Sequence, residues 1–277
     1  MAAVRFAAYR DYEAVRVDTS NAMMALLAGA QLASHLLQLT KGSRLLLPEV
    51  YPSVAHIGRF NLTSEAASQI LGAADAHLGA MSVPYVLSVH EDFLKTCLGL
   101  LARAQLCTPN VAEKTVLAFQ HTKIEKATGG SFDRVAMCQL DTLRKMRNCT
   151  IHAGGRADDK LIAHLLTWMP NVATGWVKLA NRDPRRLKLD EPVTFGHGEL
   201  ILSLAVTKTL ARAANEQLQP ALPRTLWADL VIEDLSRDHS NVERTPDGLT
   251  RALGLARFHY GPLNLTEAEV RGAWGRA

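Results

Sequence analysis

The sequence lacks most of the signatures that assign a function directly. Its four cysteines, Cys97, Cys107, Cys138 and Cys149, form no CxxC pair and no zinc-type spacing. Reduced structural thiols in a cytoplasmic protein are the expected state. His90-Glu91 begins like a zinc-protease helix, but position 94 is Leu, so there is no HExxH. No metal-ligand cluster is visible, and no cofactor is expected. Residues 1–13 alternate apolar positions with Arg5, Arg10, Asp11 and Glu13 and lack the apolar run of a signal peptide. There is no internal repeat and no low-complexity tract. Charge bias is slight: 31 Lys and Arg against 27 Asp and Glu give a net +4. That is compatible with RNA but falls short of a dedicated nucleic-acid surface.

What is present is an ordinary globular composition. With 277 residues, 48% of them hydrophobic and 21% charged, the chain suffices for one large or two small domains with a real core. Residues 22–39 are long and apolar enough to raise a membrane question. However, Gln31, Ser34, His35 and Gln38 recur at i, i+3, i+4 and i+7 and make one polar stripe. This pattern predicts a buried amphipathic helix and no membrane association.

The pattern predicts an all-α protein in three parts: an N-terminal helical segment (1–62), a helical bundle (63–220) and a helical C-terminal extension (221–277). Asp18, Thr19 and Ser20 are N-cap candidates for the first long helix. Thr63-Ser64-Glu65 opens a helix running towards Gly79, and Ser82-Val83-Pro84 suits another start. Helices are expected over 111–127 and 131–152, the first closed by Gly129-Gly130. A helical pattern over 158–181 is interrupted by Pro170. Residues 187–195 have a strand-like pattern, and Gly196-His197-Gly198 leads into a further helix. Pro220 and Pro223 mark a boundary. Three shorter helices follow over 226–235, 248–257 and 266–274, the last opened by the capping box Thr266-Glu267-Ala268-Glu269.

The chemistry concentrates in one stretch, Arg147-Asn148-Cys149-Thr150-Ile151-His152, which ends a helical run before Gly154-Gly155. Arg stabilises phosphate charge, and His transfers protons near neutral pH. On a helix, Asp141, Arg144, Lys145, Asn148 and His152 fall within roughly 100° of arc, with Leu140, Leu143 and Met146 towards the other side. Arg147 is about 140° from His152 on an ideal helix. Either the two glycines loosen the last turn so that His152 swings, or a two-fold axis brings Arg147 of one copy to His152 of another. The second arrangement suits RNA cleavage by the 2′-hydroxyl. Two imidazoles share the proton transfers, Arg147 stabilises the pentavalent phosphorus state, and Asn148 orients a His ring or holds a phosphate oxygen. Arg144 and Lys145 are candidate phosphate contacts.

This stretch resembles the signature of the HEPN superfamily of helical nucleotide-binding domains: Arg, usually followed by Asn, Asp or His, then His after four to six intervening residues. Among 21 Arg and ten His, only Arg147 and His152 stand at such a spacing. The resemblance covers roughly residues 63–218. It implies an α-helical bundle, a homodimer with the motifs at its interface and, often, metal-independent endoribonuclease activity, with many relatives acting as toxins or in antiviral defence. On that basis Arg147 and His152 take the catalytic places and Asn148 the supporting place. Glu91 is a possible match to an acidic residue found on an earlier helix in some relatives. An antitoxin or regulatory partner is implied as well.

Plainer alternatives stand beside these. The motif also reads as a solvated polar face ending in a histidine, which would make the chain a non-catalytic module that binds RNA, a nucleotide or a protein. Arg182, Arg185, Arg186 and Lys188 read as a charged linker or an RNA-contacting arm. The last three helices, with Arg251, Arg257, Arg271 and Arg276, read as an extension packed on the bundle or as a helix-turn-helix.

Overall fold

The computed structural model describes residues 2–238 and 246–276. The chain is all-α: 77% of it is helical, with thirteen α-helices and no strand among the described residues. In order they are α1 (Ala7–Leu37), α2 (Leu47–Val50), α3 (Ser64–Gly72), α4 (Ala74–Arg103), α5 (Pro109–Lys114), α6 (Leu117–Thr128), α7 (Arg134–His152), α8 (Asp159–Leu166), α9 (Pro170–Ala180), α10 (His197–Ala221), α11 (Arg224–Asp238), α12 (Pro246–His259) and α13 (Glu267–Arg276).

Where a helix start is set by its own residues, a local cap is in place. Thr63 opens α3, its Oγ1 accepting from the Ala66 N–H at 3.2 Å. Asp158 opens α8, its carboxylate accepting from the Leu161 N–H at 2.8 Å. At α13, the Glu269 N–H donates to Thr266 Oγ1 at 3.3 Å and the Thr266 N–H to the Glu269 carboxylate at 2.7 Å. Pro170 separates α8 from α9 and sits in the first turn of α9, where its missing N–H costs nothing.

Other boundaries differ from the sequence pattern. Asp18, Thr19 and Ser20 lie inside α1, which starts at Ala7 because the Ala7 N–H donates to Asp234 at 3.1 Å, a cap supplied from 227 residues away. Likewise α4 runs through Ser82-Val83-Pro84 instead of starting there. Ala80, whose carbonyl would have received the proline's absent N–H, is exposed to water. The long helix over 111–127 is split into α5 and α6, and Pro220 lies within the last turn of α10. Residues 187–195 form no strand: their only pairing is an isolated bridge between Pro192 and Arg156.

The chain forms two compact units, Met1–Arg16 with Leu87–Asp141 and Ala205–Ala277, and Val17–Val86 with Thr142–Leu204. An aromatic core fills the first. Phe6 meets Trp227 edge-on at 5.7 Å between centroids, and Tyr12 stacks on Phe93 at 4.8 Å. Buried Asp234 ties three segments together: besides Ala7, it accepts from Arg10 Nη1 at 3.0 Å and the Tyr260 hydroxyl at 2.7 Å. The same unit buries a histidine pair, His90 on α4 and His121 on α6, with Nε2 to Nε2 at 3.1 Å. Nδ1 of His90 has no partner. An orphaned acceptor costs less than an orphaned N–H, so the shared proton belongs on His90 Nε2, donated to His121.

In the second unit, Trp168 and Trp176 pack at 5.2 Å between centroids, and Leu161, Leu165 and Phe195 are buried in the same unit. A Cβ at Gly198 would run into the Ala180 backbone, so this glycine serves close approach of α10 to α9. The part of α1 in this unit is not the buried helix that its polar stripe suggests. Of the most apolar 18-residue window in residues 7–40, only 11% is buried. The stripe divides. Ser34 turns inward, its hydroxyl donating to the Ser68 carbonyl at 2.9 Å while the Ser68 hydroxyl donates to the Ser34 carbonyl at 3.1 Å. Gln31, His35 and Gln38 stay exposed, as do Met24, Leu32, Leu36 and Leu39. By length and composition this helix is able to cross a membrane.

Two outcomes follow from the first unit. Asp234→Ala strands the Ala7 N–H and the Tyr260 hydroxyl, and urea denaturation is expected to show a loss of about 3 kcal/mol; a loss below about 1 kcal/mol would contradict the capping role. Burial holds His90 well below the usual histidine range and His121 down to about 3. The unfolded chain therefore takes up protons below about pH 6.5 that the folded pair refuses. The stability from this pair is fully present above that pH and is lost as pH falls towards 3. Urea midpoints between pH 6 and 5 should drop with a slope near 1 kcal/mol per pH unit for each histidine, and His121→Gln should halve it.

Candidate functional site at the end of helix α7

α7 is set in place by its N-terminal cap and its apolar back. Asp133 accepts from the Ala136 N–H at 2.7 Å. Leu143, Met146 and Cys149 are buried within the second unit, which fixes the rotation of the helix about its axis. Arg144, Lys145, Arg147 and Asn148 are consequently half-buried at its edge, and Ile151 and His152 are exposed.

Arg147 Nη1 donates to the Asn148 side-chain oxygen at 3.3 Å, so Asn148 braces the guanidinium instead of a histidine ring. The Thr150 hydroxyl donates to the Arg147 carbonyl at 2.8 Å. The His152 imidazole makes no hydrogen bond among the described residues. The helix stays regular through His152, and the glycines act only after it. Loosening of the last turn, one of the two routes by which His152 was expected to reach Arg147, is therefore absent. A single copy keeps the two side chains on separate faces, about 140° apart.

The stop itself is made by positive φ, +60° at Gly154 and +79° at Gly155. The Gly155 N–H folds back to the Cys149 carbonyl at 3.1 Å, which also accepts from Ala153 at 3.0 Å. Beyond the stop, the exit is stitched to residues 190–193. Ala157 N–H donates to the Glu191 carbonyl at 2.9 Å, Asp190 N–H to the Ala157 carbonyl at 3.0 Å, and Val193 N–H to the Gly155 carbonyl at 2.8 Å.

Glu91 is engaged by Lys95 at 3.3 Å and belongs to the first unit. Burial pushes the Cys149 thiol above its usual range, with the Asp158 carboxylate adding to the effect, so it is a protonated core residue. In the C-terminal helices, Arg271 is paired with Glu267 and Arg276 with Asp229, which occupies two of the four arginines considered for phosphate contact. Among the described residues no group of three or more His, Cys, Asp or Glu is placed to hold a metal ion. His164 is a site neighbour that no sequence signal marks. Its Nε2 shares a hydrogen bond of 2.9 Å with the Thr142 hydroxyl, which also accepts from Trp168 Nε1 at 3.1 Å. His164 lies in an ordinary apolar helix with no spacing that marks it.

Comparison of the chain with protein-family models, characterised proteins and solved structures finds no match to any of them. What α7 offers chemically is a braced guanidinium and, one turn on, an open imidazole. The helix stop is directly testable. Gly154→Ala and Gly155→Ala each place a Cβ at positive φ and are expected to lower stability by about 1 kcal/mol, or roughly 3 °C in Tm. Unchanged melting in both would show that the exit does not depend on the left-handed backbone.

Proposed function

We propose that this chain is a metal-independent endoribonuclease of HEPN-like type that works as a homodimer, with Arg147, Asn148 and His152 from two copies lining one cleft. The observation that carries this is the pairing of a guanidinium braced by Asn148 with a solvent-open imidazole on the same helix end. The helical angle between them supports a shared site, because Arg147 and His152 complement each other only across a symmetry axis. Exposed Ile151, at 49%, adds an apolar contact on that face for a second copy.

In the proposed reaction one imidazole removes the proton of a ribose 2′-hydroxyl, and the oxygen attacks the adjacent phosphorus. Arg147 stabilises the added negative charge of the pentavalent state. The second imidazole protonates the departing 5′-oxygen. The products are a 2′,3′-cyclic phosphate and a 5′-hydroxyl. DNA, lacking the 2′-hydroxyl, is not cut. Such an enzyme suits a toxin or antiviral-defence effector in the cytoplasm, restrained by an antitoxin or regulatory partner.

A second reading, a non-catalytic module that binds RNA, a nucleotide or a protein through the same face, is favoured by the separation of Arg147 from His152 within one chain. The two part in a single assay. Single-stranded RNA incubated with the protein in EDTA should be cut, and His152→Ala should lower the rate by roughly 100-fold or more. Mixing Arg147→Ala chains with His152→Ala chains gives a cleft with one guanidinium and one imidazole, so activity should rise above that of either variant alone and stay well below the wild type, which has both imidazoles. Binding without cleavage of any RNA supports the module instead, and cleavage that survives His152→Ala rules out the proposed chemistry.

A further inference from the structure

The charge of this chain is unevenly placed. Residues 142–195 carry ten Lys and Arg against five Asp and Glu, whereas the rest of the chain has 21 against 22. The whole net positive charge therefore belongs to α7 from Thr142 onward and to the segment that follows it. Within that segment the basic turn at 182–188 is tied down at both ends. Arg182 at its root is spent on buried Glu199 and on Thr194 Oγ1, the latter at 2.8 Å. Arg185 forms a two-pronged pair with Asp183 at 3.0 and 2.7 Å. The far end continues into residues 190–193, which are hydrogen-bonded to the exit of α7 just past His152.

Two cations of the turn have no such structural use. The side chains of Arg186 and Lys188 are exposed and make no hydrogen bond or ion pair among the described residues. Arg156, also exposed, gives one guanidinium nitrogen to the Asp190 carbonyl at 2.7 Å and leaves the remainder open. A fixed backbone spares the ordering of the loop on meeting an anion, leaving only the side chains of the cations to be ordered. Within residues 142–195 no exposed aromatic accompanies them, since Trp168, Trp176 and Phe195 are all buried. The segment itself therefore offers bases no ring to stack on, and its grip on a strand would be through the phosphates, without regard to sequence.

We infer that Arg156, Arg186 and Lys188 form a track for the phosphate backbone of single-stranded RNA leading to the α7 terminus. This rests on the nuclease reading of Arg147 and His152 for its substrate, and on the stitched exit for its position. The track supplies affinity and direction. Its residues are binding residues and take no part in the proton transfers.

The test uses the full chain and an RNA oligonucleotide of about 20 nucleotides. In a His152→Ala background, Arg186→Gln with Lys188→Gln is expected to weaken binding about ten-fold near 0.1 M salt and to flatten the log–log salt dependence by about 1.4, or 0.7 for each cation lost. In the otherwise wild-type enzyme the same pair should raise KM and leave kcat nearly unchanged. Lys123→Gln with Lys126→Gln removes the same charge from α6 and should leave the salt dependence as it was. Cleavage with unchanged KM and unchanged salt dependence in the Arg186/Lys188 variant overturns the track and leaves the nuclease standing. Salt-dependent binding lost in that variant, in a protein that cuts no RNA, keeps the track and removes the nuclease. Absence of RNA binding at any salt, or capture of polyglutamate in its place, overturns both.

Discussion

Everything proposed at the motif depends on the fixed rotation of α7. Burial of Leu143, Met146 and Cys149 leaves the helix one orientation. At 100° per residue, that orientation decides the direction of every other side chain. Arg147 is held at the edge of the buried face and His152 is sent outward. Rotating the helix about its axis to alter this would pull Leu143, Met146 or Cys149 into water, at about 2 kcal/mol or more for each one exposed. The glycine stop completes the constraint, because it ends the helix immediately after His152 and turns the chain back along residues 190–193. On the proposed function, incompleteness in one chain is a direct consequence of packing the helix well.

The sequence was legible wherever a feature is encoded within a few residues of itself. Thr63 and Thr266 cap their helices as their spacing predicted, because an N-cap needs only the next turn. The Pro170 break and the glycine stop were legible for the same reason. The start of α1 was hidden, since its cap is Asp234 on α11, and Thr19 looked like the better candidate only in the absence of that carboxylate. The histidine pair was hidden too. His90 and His121 belong to different helices, and His90 drew notice only for beginning a zinc motif that the next residues fail to complete.

At the site, residue types and spacing were legible but the partnership was not. Asn148 was expected to serve a histidine or a phosphate, and its oxygen holds Arg147. On a helix adjacent residues point about 100° apart, so pattern reasoning discounts contact between them, whereas a long Arg side chain can curl back over its neighbour. The polar stripe on α1 misled in the opposite sense. Its period was correct, but only Ser34 found an inward partner, in Ser68, and the apolar residues beside it were left facing out.

Whole-chain charge hid the feature that most favours a nucleic-acid partner. A net +4 over 277 residues reads as nearly neutral, yet residues 142–195 carry ten Lys and Arg against five acids, while the rest of the chain balances. Screening limits attraction between exposed charges to about 8 Å at physiological ionic strength, so a strand passing α7 responds to the local balance and hardly to the remainder. Locally, two of the acids are also committed: Asp158 to the start of α8 and Asp183 to Arg185. Neither engagement removes net charge, since the Asp183 pair uses up one cation as well, so the local balance stays that of the residue count, ten cations against five acids. On the proposed function, this local excess is what would draw an RNA strand to the α7 exit while the rest of the surface stays nearly neutral.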